Sequence, residues 1–421
     1  MSTSDSDSPR PGSGVVVQKY GGSSMAGPEK IRAVAARIMQ TRASGRQVCV
    51  VVSAMGDTTD ELLASAKQLS INPPRRELDM LLSAGERISM ALLSIAIREL
   101  GGDAISFTGS QSGIITNDRH SDARIIEVRP VRVQDELARG KIVVIAGYQG
   151  VSYKKEVTTL GRGGSDTTAV AMAAALGAEW CEICSDVDGV YSADPRVVPA
   201  ARRIGELSYE EMQEMAEAGA RVLNAQAVEF AKEKHIAIYA RATAQQPPTA
   251  VENTDGTVVR MFAPRTPGSV AAVVSESKVL VLHAKDVPAL DLLRWLEARG
   301  ICGKQLHATD FGPPTGATAG SELTVVLSRE NLHEELPALR EALAETGFGA
   351  GVRLIDEFGA VSAIGTGINT SYRNLLAGAD ALQRAGIIPQ GTATSSFRIT
   401  WLVAQAQIHE AVRTLHRHFL E

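Results

Sequence analysis

Four cysteines in 421 residues are too few for a disulfide framework, and they suit a reducing compartment such as the cytoplasm. Cys181 and Cys184 form a lone CxxC with no second ligand pair at suitable spacing. They read as core positions on a strand and not as a zinc site. No apolar run reaches the roughly eighteen residues that a membrane span needs. Basic residues are not in excess: the formal net charge is −5, which leaves no footprint for nucleic acid. The first residues, 1–14, lack the apolar core of a secretory signal and are rich in Ser, Asp, Pro and Gly. They are expected to form a disordered tail.

The apolar residues make up 44% of the chain and charged ones 22%, an ordinary balance for a globular protein of two or three domains. Over the first two-thirds, short β-branched runs alternate with helical patterns. Val15–Gln18, Val48–Ser53, Lys141–Ala146 and Trp180–Ser185 read as strands. Pro28–Arg42, Leu78–Leu100, Thr168–Leu176 and most of Tyr209–Glu233 read as helices, with Leu81, Leu82, Ile88, Leu92 and Ile95 turned inward on the second. This is the pattern of an α/β domain whose mostly parallel sheet is sandwiched by helices. Gln-Gln-Pro-Pro within Gln245–Asn253 and the soft stretch Ala263–Gly268 mark a boundary. Beyond it a strand–helix–strand–helix unit occurs twice, which predicts two small ferredoxin-like modules. The expected division is a catalytic domain over 15–262, a linker over 263–278, and modules over 279–350 and 351–421.

Lys19-Tyr20-Gly21-Gly22-Ser23-Ser24 lies between a strand and a helix. Glycines there allow several N–H groups to face one anion, the helix start adds positive potential, and Lys19 adds a full charge. A plain strand–turn–helix corner with a surface lysine fits the same residues. Thr158 to Thr168 is richer, with Gly161, Gly163 and Gly164 around Arg162, followed by Ser165 and Asp166. The arginine offers a rigid fork for a carboxylate or phosphate. Glu86 follows a glycine inside an apolar helical stretch. The loop from Ser185 to Arg196 is polar, with one aromatic residue and one arginine.

Taken together, these segments resemble the aspartate kinase family. The residues that carry the resemblance are 19–24, Ser53 to Leu62, Ala84-Gly85-Glu86-Arg87, Leu160 to Asp166 and Asp186 to Arg196, in the family's order. The likeness is nearest to monofunctional bacterial enzymes whose effectors are lysine and threonine. It implies the amino-acid-kinase fold, two C-terminal ACT modules, and assembly into a homo-oligomer through them. It implies ATP as phosphoryl donor, Mg²⁺ arriving with ATP and not in a dedicated metal site, and L-aspartate as acceptor. In catalysis, Lys19, Arg162 and Asp166 would act on the charged groups. Ser53, Thr59, Glu86, Arg162 and Ser165 would line the aspartate site, with Glu86 on the ammonium. Lys19, Tyr20, Gly21, Gly22, Ser185, Asp186, Tyr191, Asp194, Arg196 and Arg221 would hold ATP.

Two alternatives bear on this reading. A kinase for an N-acetylated acid would have no use for Glu86 beside a blocked amine. A degenerate effector sensor would be expected to have lost Lys19, Arg162 or Asp166, and all three are present. Departures from the family remain. Arg221 stands where relatives carry lysine, keeping the charge and changing the shape. Asp286-Val287-Pro288-Ala289 replaces a turn ending in glycine, and Thr394-Ser395-Ser396-Phe397 lacks a carboxylate. If position 289 required positive φ, alanine would cost about 1 kcal/mol there, and if it required close approach of the effector, the methyl group would block the ligand. These changes predict weakened or altered feedback control.

Overall fold

The computed structural model describes residues 14–161, 163–220, 222–244, 255–309, 321–329, 332, 336–348 and 351–421. The chain divides into two compact units. The first runs to Tyr191 and adds Arg203–Ala216 and Arg221–Pro264. The second is built from Ser192–Arg202, Glu217–Ala220 and Arg265–Glu421.

The strands of the first unit are β1 (Val15–Tyr20), β2 (Gln47–Val52), β3 (Ala104–Phe107), β4 (Ile114–Thr116), β5 (Ile125–Val128), β6 (Ile142–Ala146), β7 (Gln149–Ser152), β8 (Val157–Thr159), β9 (Trp180–Ser185), β10 (Glu206–Ser208), β11 (Ile238–Ala242) and β12 (Thr257–Arg260). Eight of them form one sheet in the order β10-β12-β11-β9-β1-β2-β6-β3. All neighbours are parallel except β11 and β12. The runs QVCVVV and IVVIA are buried almost throughout, as strands covered on both faces must be. A smaller sheet, β5-β4-β7-β8, stands beside it.

Helices Pro28–Ala43 and Arg75–Glu99 pack Val34, Ile38, Leu93 and Ile97 against Val16, Val48, Val50 and Val144 of the large sheet. The face of Arg75–Glu99 that is buried differs from the expected one. Ile88, Leu92 and Ile95 are 51%, 39% and 63% exposed, while Asp79, Leu82, Gly85, Glu86, Ser89 and Leu93 are buried. The sheet-facing side is rich in small and hydrogen-bonding residues, so hydropathy alone selects the wrong stripe.

One charged cluster lies wholly inside this unit. Glu182 on β9 is fully buried and accepts from Gln18 Nε2 at 2.8 Å and Arg37 at 2.5 Å, with the Arg241 guanidinium 3.9 Å away. Two buried cations therefore share one carboxylate.

The second unit holds β13 (Ala272–Glu276), β14 (Val279–Lys285), β15 (Gln305–Thr309), β16 (Glu322–Ser328), β17 (Val352–Ile355), β18 (Phe358–Ile364), β19 (Gly391–Thr394) and β20 (Arg398–Ala404). They form two four-stranded sheets, β15-β16-β14-β17 and β13-β18-β20-β19, with antiparallel neighbours throughout. The first is a complete β-α-β-β-α-β module. The second has the same order, but its edge strand β13 comes from upstream of the first module. Residues 272–276 therefore form a strand inside the stretch expected to be a linker, and β17 belongs to the first sheet despite starting after residue 351. Strand period 2 explains the core. Leu280, Leu282 and Ala284 face their own helices, while Val279 and Val281 join Val326, Ala360 and Leu402 between the two sheets. The positive φ of the 286–289 turn falls on Asp286, at 55°, and Ala289 opens the helix Ala289–Ala298. No left-handed strain is imposed on the alanine. The tail 1–13, the stretch 245–254 and the loop 310–320 lie outside the described residues.

Replacing Glu182 with alanine takes a buried carboxylate away from Arg37 and from beside Arg241. Removal of one partner from such a buried set costs about 3–5 kcal/mol. Chemical unfolding of Glu182→Ala should show that loss in the transition of the first unit. A loss below about 1 kcal/mol would contradict the role given to the cluster.

Candidate active site

Parallel strands leave their ligand crevice at the carboxyl ends, and the candidate residues gather there. Lys19 is near the end of β1, between β2 and β9. Its Nζ lies 2.6 Å from Oδ1 of Asp166, and both side chains are about one-tenth exposed. Asp166 sits in the first turn of helix Gly164–Leu176, where a carboxylate is favoured by the backbone dipole.

Ser53 follows β2, and its N–H donates to the Tyr20 carbonyl at 3.0 Å. Gly147 follows β6. A Cβ there would meet Ser165 Oγ at 2.7 Å and the Val52 carbonyl at 2.9 Å, so Ser165 is held close to the end of β2. Thr59 lies in the first turn of helix Thr58–Leu69 and is half-buried. Gly85 explains how Glu86 reaches this place. A Cβ at 85 would sit 2.8 Å from the Cβ of Ala54, so only glycine lets the long helix close on the loop after β2. Glu86 then accepts the Ala54 N–H at 3.0 Å through Oε1. Its Oε2 is buried and has no partner. Burial pushes its carboxyl up to about 7, against the opposing pull of backbone hydrogen bonds. A buried carboxylate with a free oxygen suits a cationic ligand group.

The glycine loop after β8 is left-handed at Gly161 and Gly163, both with φ 73°. Gly163 lies against Asn224, whose side chain caps helix Ala225–Lys234. Arg162 and Arg221 lie outside the described residues. Ser185 ends β9 and is half-buried, and Asp186, which follows it, is exposed. Tyr191 donates to Asp188 at 2.9 Å, and Arg203 holds the other Asp188 oxygen at 3.0 Å. Gly21 donates its N–H to the Cys184 carbonyl, and Gly56 donates to the Gly22 carbonyl.

One expected ATP contact, Tyr20, has its side chain placed differently. Tyr20 is fully buried, with its hydroxyl directed at Gln18, because neighbours on a strand point to opposite faces and Lys19 takes the site side. Asp194 and Arg196 belong to the second unit, where the guanidinium grips the Asp194 carboxylate through two bonds, at 3.0 and 2.7 Å. Cys181 and Cys184 are buried core positions on β9.

Sequence reasoning missed other parts of the site. Thr243, after β11, donates to the Ser185 carbonyl and pairs with Ser24 at 2.6 Å, joining three strand-end loops. Thr167 Oγ1 is buried without a partner. Asp79 is fully buried and bonded to the segment 120–121 and to Thr159.

Residues 14–240 match the amino acid kinase family. The chain is 45% identical over 409 residues to the aspartokinase of Mycolicibacterium smegmatis, covering 96% of each. It is 42% identical over 409 residues to the aspartokinase of Corynebacterium glutamicum, again with 96% of each covered. Among solved structures, E. coli aspartokinase III in complex with aspartate and ADP superposes with a TM-score of 0.82 at 22% identity. That match covers 97% of this chain and all of the other.

The position of Glu86 has a pH consequence. Its folded value of about 7 lies above the ordinary 4.5, so the folded protein keeps a proton that the unfolded chain releases in between. Stability of the ligand-free protein therefore falls as pH rises through that window. Glu86→Gln removes the effect and should be more stable than the parent at pH 8 by on the order of 2–3 kcal/mol, but not at pH 4.5. Unfolding curves that differ equally at both pH values would contradict it.

Proposed function

The chain belongs to the aspartokinase family and is an aspartate kinase, and on that footing we propose how its residues carry the γ-phosphoryl group of ATP to the side-chain carboxylate of L-aspartate. One observation carries the proposal: a buried carboxylate with an unpartnered oxygen, Glu86, shares the strand-end loops with the Lys19–Asp166 pair. Glu86 binds the substrate ammonium. Arg162 takes a substrate carboxylate, with Ser53, Thr59 and Ser165 around it. Lys19 meets the negative charge of the transferred group, and the start of helix Gly164–Leu176 adds its dipole. Ser185, Asp186 and Tyr191 take the nucleoside, and Arg221 the phosphates.

The attacking carboxylate of aspartate is ionised at neutral pH, so the reaction needs no general base. Positioning and charge neutralisation then do the catalytic work. Mg²⁺ comes with the phosphates and supplies further neutralisation when bound, Asp166 being the carboxylate that would hold it. The two ferredoxin-like modules are ACT domains that bind an amino-acid effector and pair into a homo-oligomer. In support, E. coli aspartokinase III has been solved with lysine and aspartate bound. A reducing cytoplasm suits the free cysteines.

Lys19→Ala should keep its circular dichroism spectrum and lose about 10²–10³-fold in kcat. A variant within about tenfold of the parent would remove Lys19 from the mechanism. Feedback should be weaker or altered, since the second module lacks a carboxylate in Thr394–Phe397 and Ala289 stands in place of a glycine. Titrating activity with lysine, threonine and both together measures this. Strong concerted inhibition at low concentrations of the pair would contradict it.

A further inference from the structure

Asp79 lies on helix Arg75–Glu99 seven residues before Glu86, hence on the same face two turns away. It is fully buried. Its Oδ1 accepts the Thr159 hydroxyl at 2.6 Å and the Ser121 N–H at 3.0 Å. Its Oδ2 accepts from His120 Nδ1 at 2.6 Å, so the imidazole carries its proton on that nitrogen. One carboxylate thus ties three chain segments together.

Each of those ties leads to the glycine loop. Thr159 ends β8 and directly precedes Leu160–Gly164, and its carbonyl accepts the Ala123 N–H at 2.9 Å. A Cβ on Gly161 would lie 3.4 Å from both the Ser121 carbonyl and Asp122 Oδ1. Ser121 is itself left-handed, with φ 66°, a cost that a non-glycine residue bears only when its surroundings impose it. The Asp79 bond to its N–H is such an imposition. On the other flank Tyr148 is also left-handed, at φ 67°, and its carbonyl accepts the Leu160 N–H at 2.9 Å. The glycine loop is therefore gripped from both sides by strained residues, and one of the two grips is anchored on the helix that carries Glu86.

We infer that Asp79 is a positioning residue for aspartate: it holds the glycine loop that follows β8 in register with the helix that carries Glu86, and so sets the spacing across the aspartate site. The inference rests on the assignment of Glu86 and Arg162 to the aspartate site. Spacing of this kind discriminates aspartate from glutamate, which is one methylene longer. A misplacement of about 1 Å can change turnover by orders of magnitude. The Asp79 bonds end at Thr159 and Ser121, ahead of the glycine loop and not at the helix start that faces the phosphates, so ATP should be far less sensitive to it.

The test compares Asp79→Ala, Asp79→Asn and Thr159→Val in the full-length enzyme, with hydroxylamine trapping of the acyl phosphate. Asp79→Ala should raise KM for aspartate about tenfold or more, leave KM for ATP within about twofold, and narrow the preference for aspartate over glutamate. Asp79→Asn should stay within about threefold of the parent. Its Oδ1 still accepts from Thr159 and Ser121, and its amide donates to His120 in the other tautomer. Equal changes in both KM values, an unchanged KM for aspartate, or an asparagine variant as impaired as the alanine one would overturn the inference. If Asp79→Ala does not fold, Thr159→Val removes a single bond at constant size. It should shift KM for aspartate alone, and no shift would likewise overturn the inference. Glu86→Gln and Arg162→Lys serve as controls. If neither raises KM for aspartate, the site assignment fails, and that outcome is distinct from a failure at Asp79.

Discussion

The ion pair between Lys19 and Asp166 joins the carboxyl end of the central strand to the first turn of a buried helix, at 2.6 Å and with little exposure. A lysine in that place is unfavourable alone, because a helix start already carries positive potential and burial penalises charge. Asp166 offsets both effects while no substrate is bound. On the proposed reading, the same lysine and helix start would offer an incoming polyphosphate a preformed anion site, which costs no reorganisation at the moment of transfer. The surrounding loops are bonded to one another and so keep this arrangement: Gly56 to Gly22, Ser53 to Tyr20, Thr243 to Ser185 and Ser24.

Glu86 completes the site by a different route. Its oxygen is left without a partner inside the protein, and the cost of that burial appears as a carboxyl raised to about 7. Such a group is poorly stabilised until a cation arrives. On the proposed reading a substrate ammonium supplies that cation, and part of the binding energy then comes from relieving a strain that folding created.

Much of the large sheet was legible because its central strands are continuous apolar runs bounded by glycine, and Trp180–Ser185 has the limits expected of it. The small sheet was not, since strands of three or four residues such as β4 and β8 are too short to display a period. Tyr20 shows the limit of motif reading. Adjacent letters in a strand serve opposite faces, so the side chains of Lys19 and Tyr20 cannot both face one crevice. Asp79 carries no local signal at all. Its meaning comes from Ser121 and Thr159, which are 42 and 80 residues away. Strand β13 escaped notice for a similar reason: it sits beside a Pro- and Gly-containing stretch and pairs with β18, across the whole first module.

The central claim is that an ionised Glu86 receives the ammonium of aspartate. The dependence of kcat/KM for aspartate on pH reads the free enzyme's own ionisations. Measured from pH 5 to 9, the parent should rise with pH and level off above about 7, the value that burial imposes on Glu86. Glu86→Gln should be weak and should lack that limb. A parent profile that stays flat down to pH 5, or an identical limb in the glutamine variant, would contradict the account.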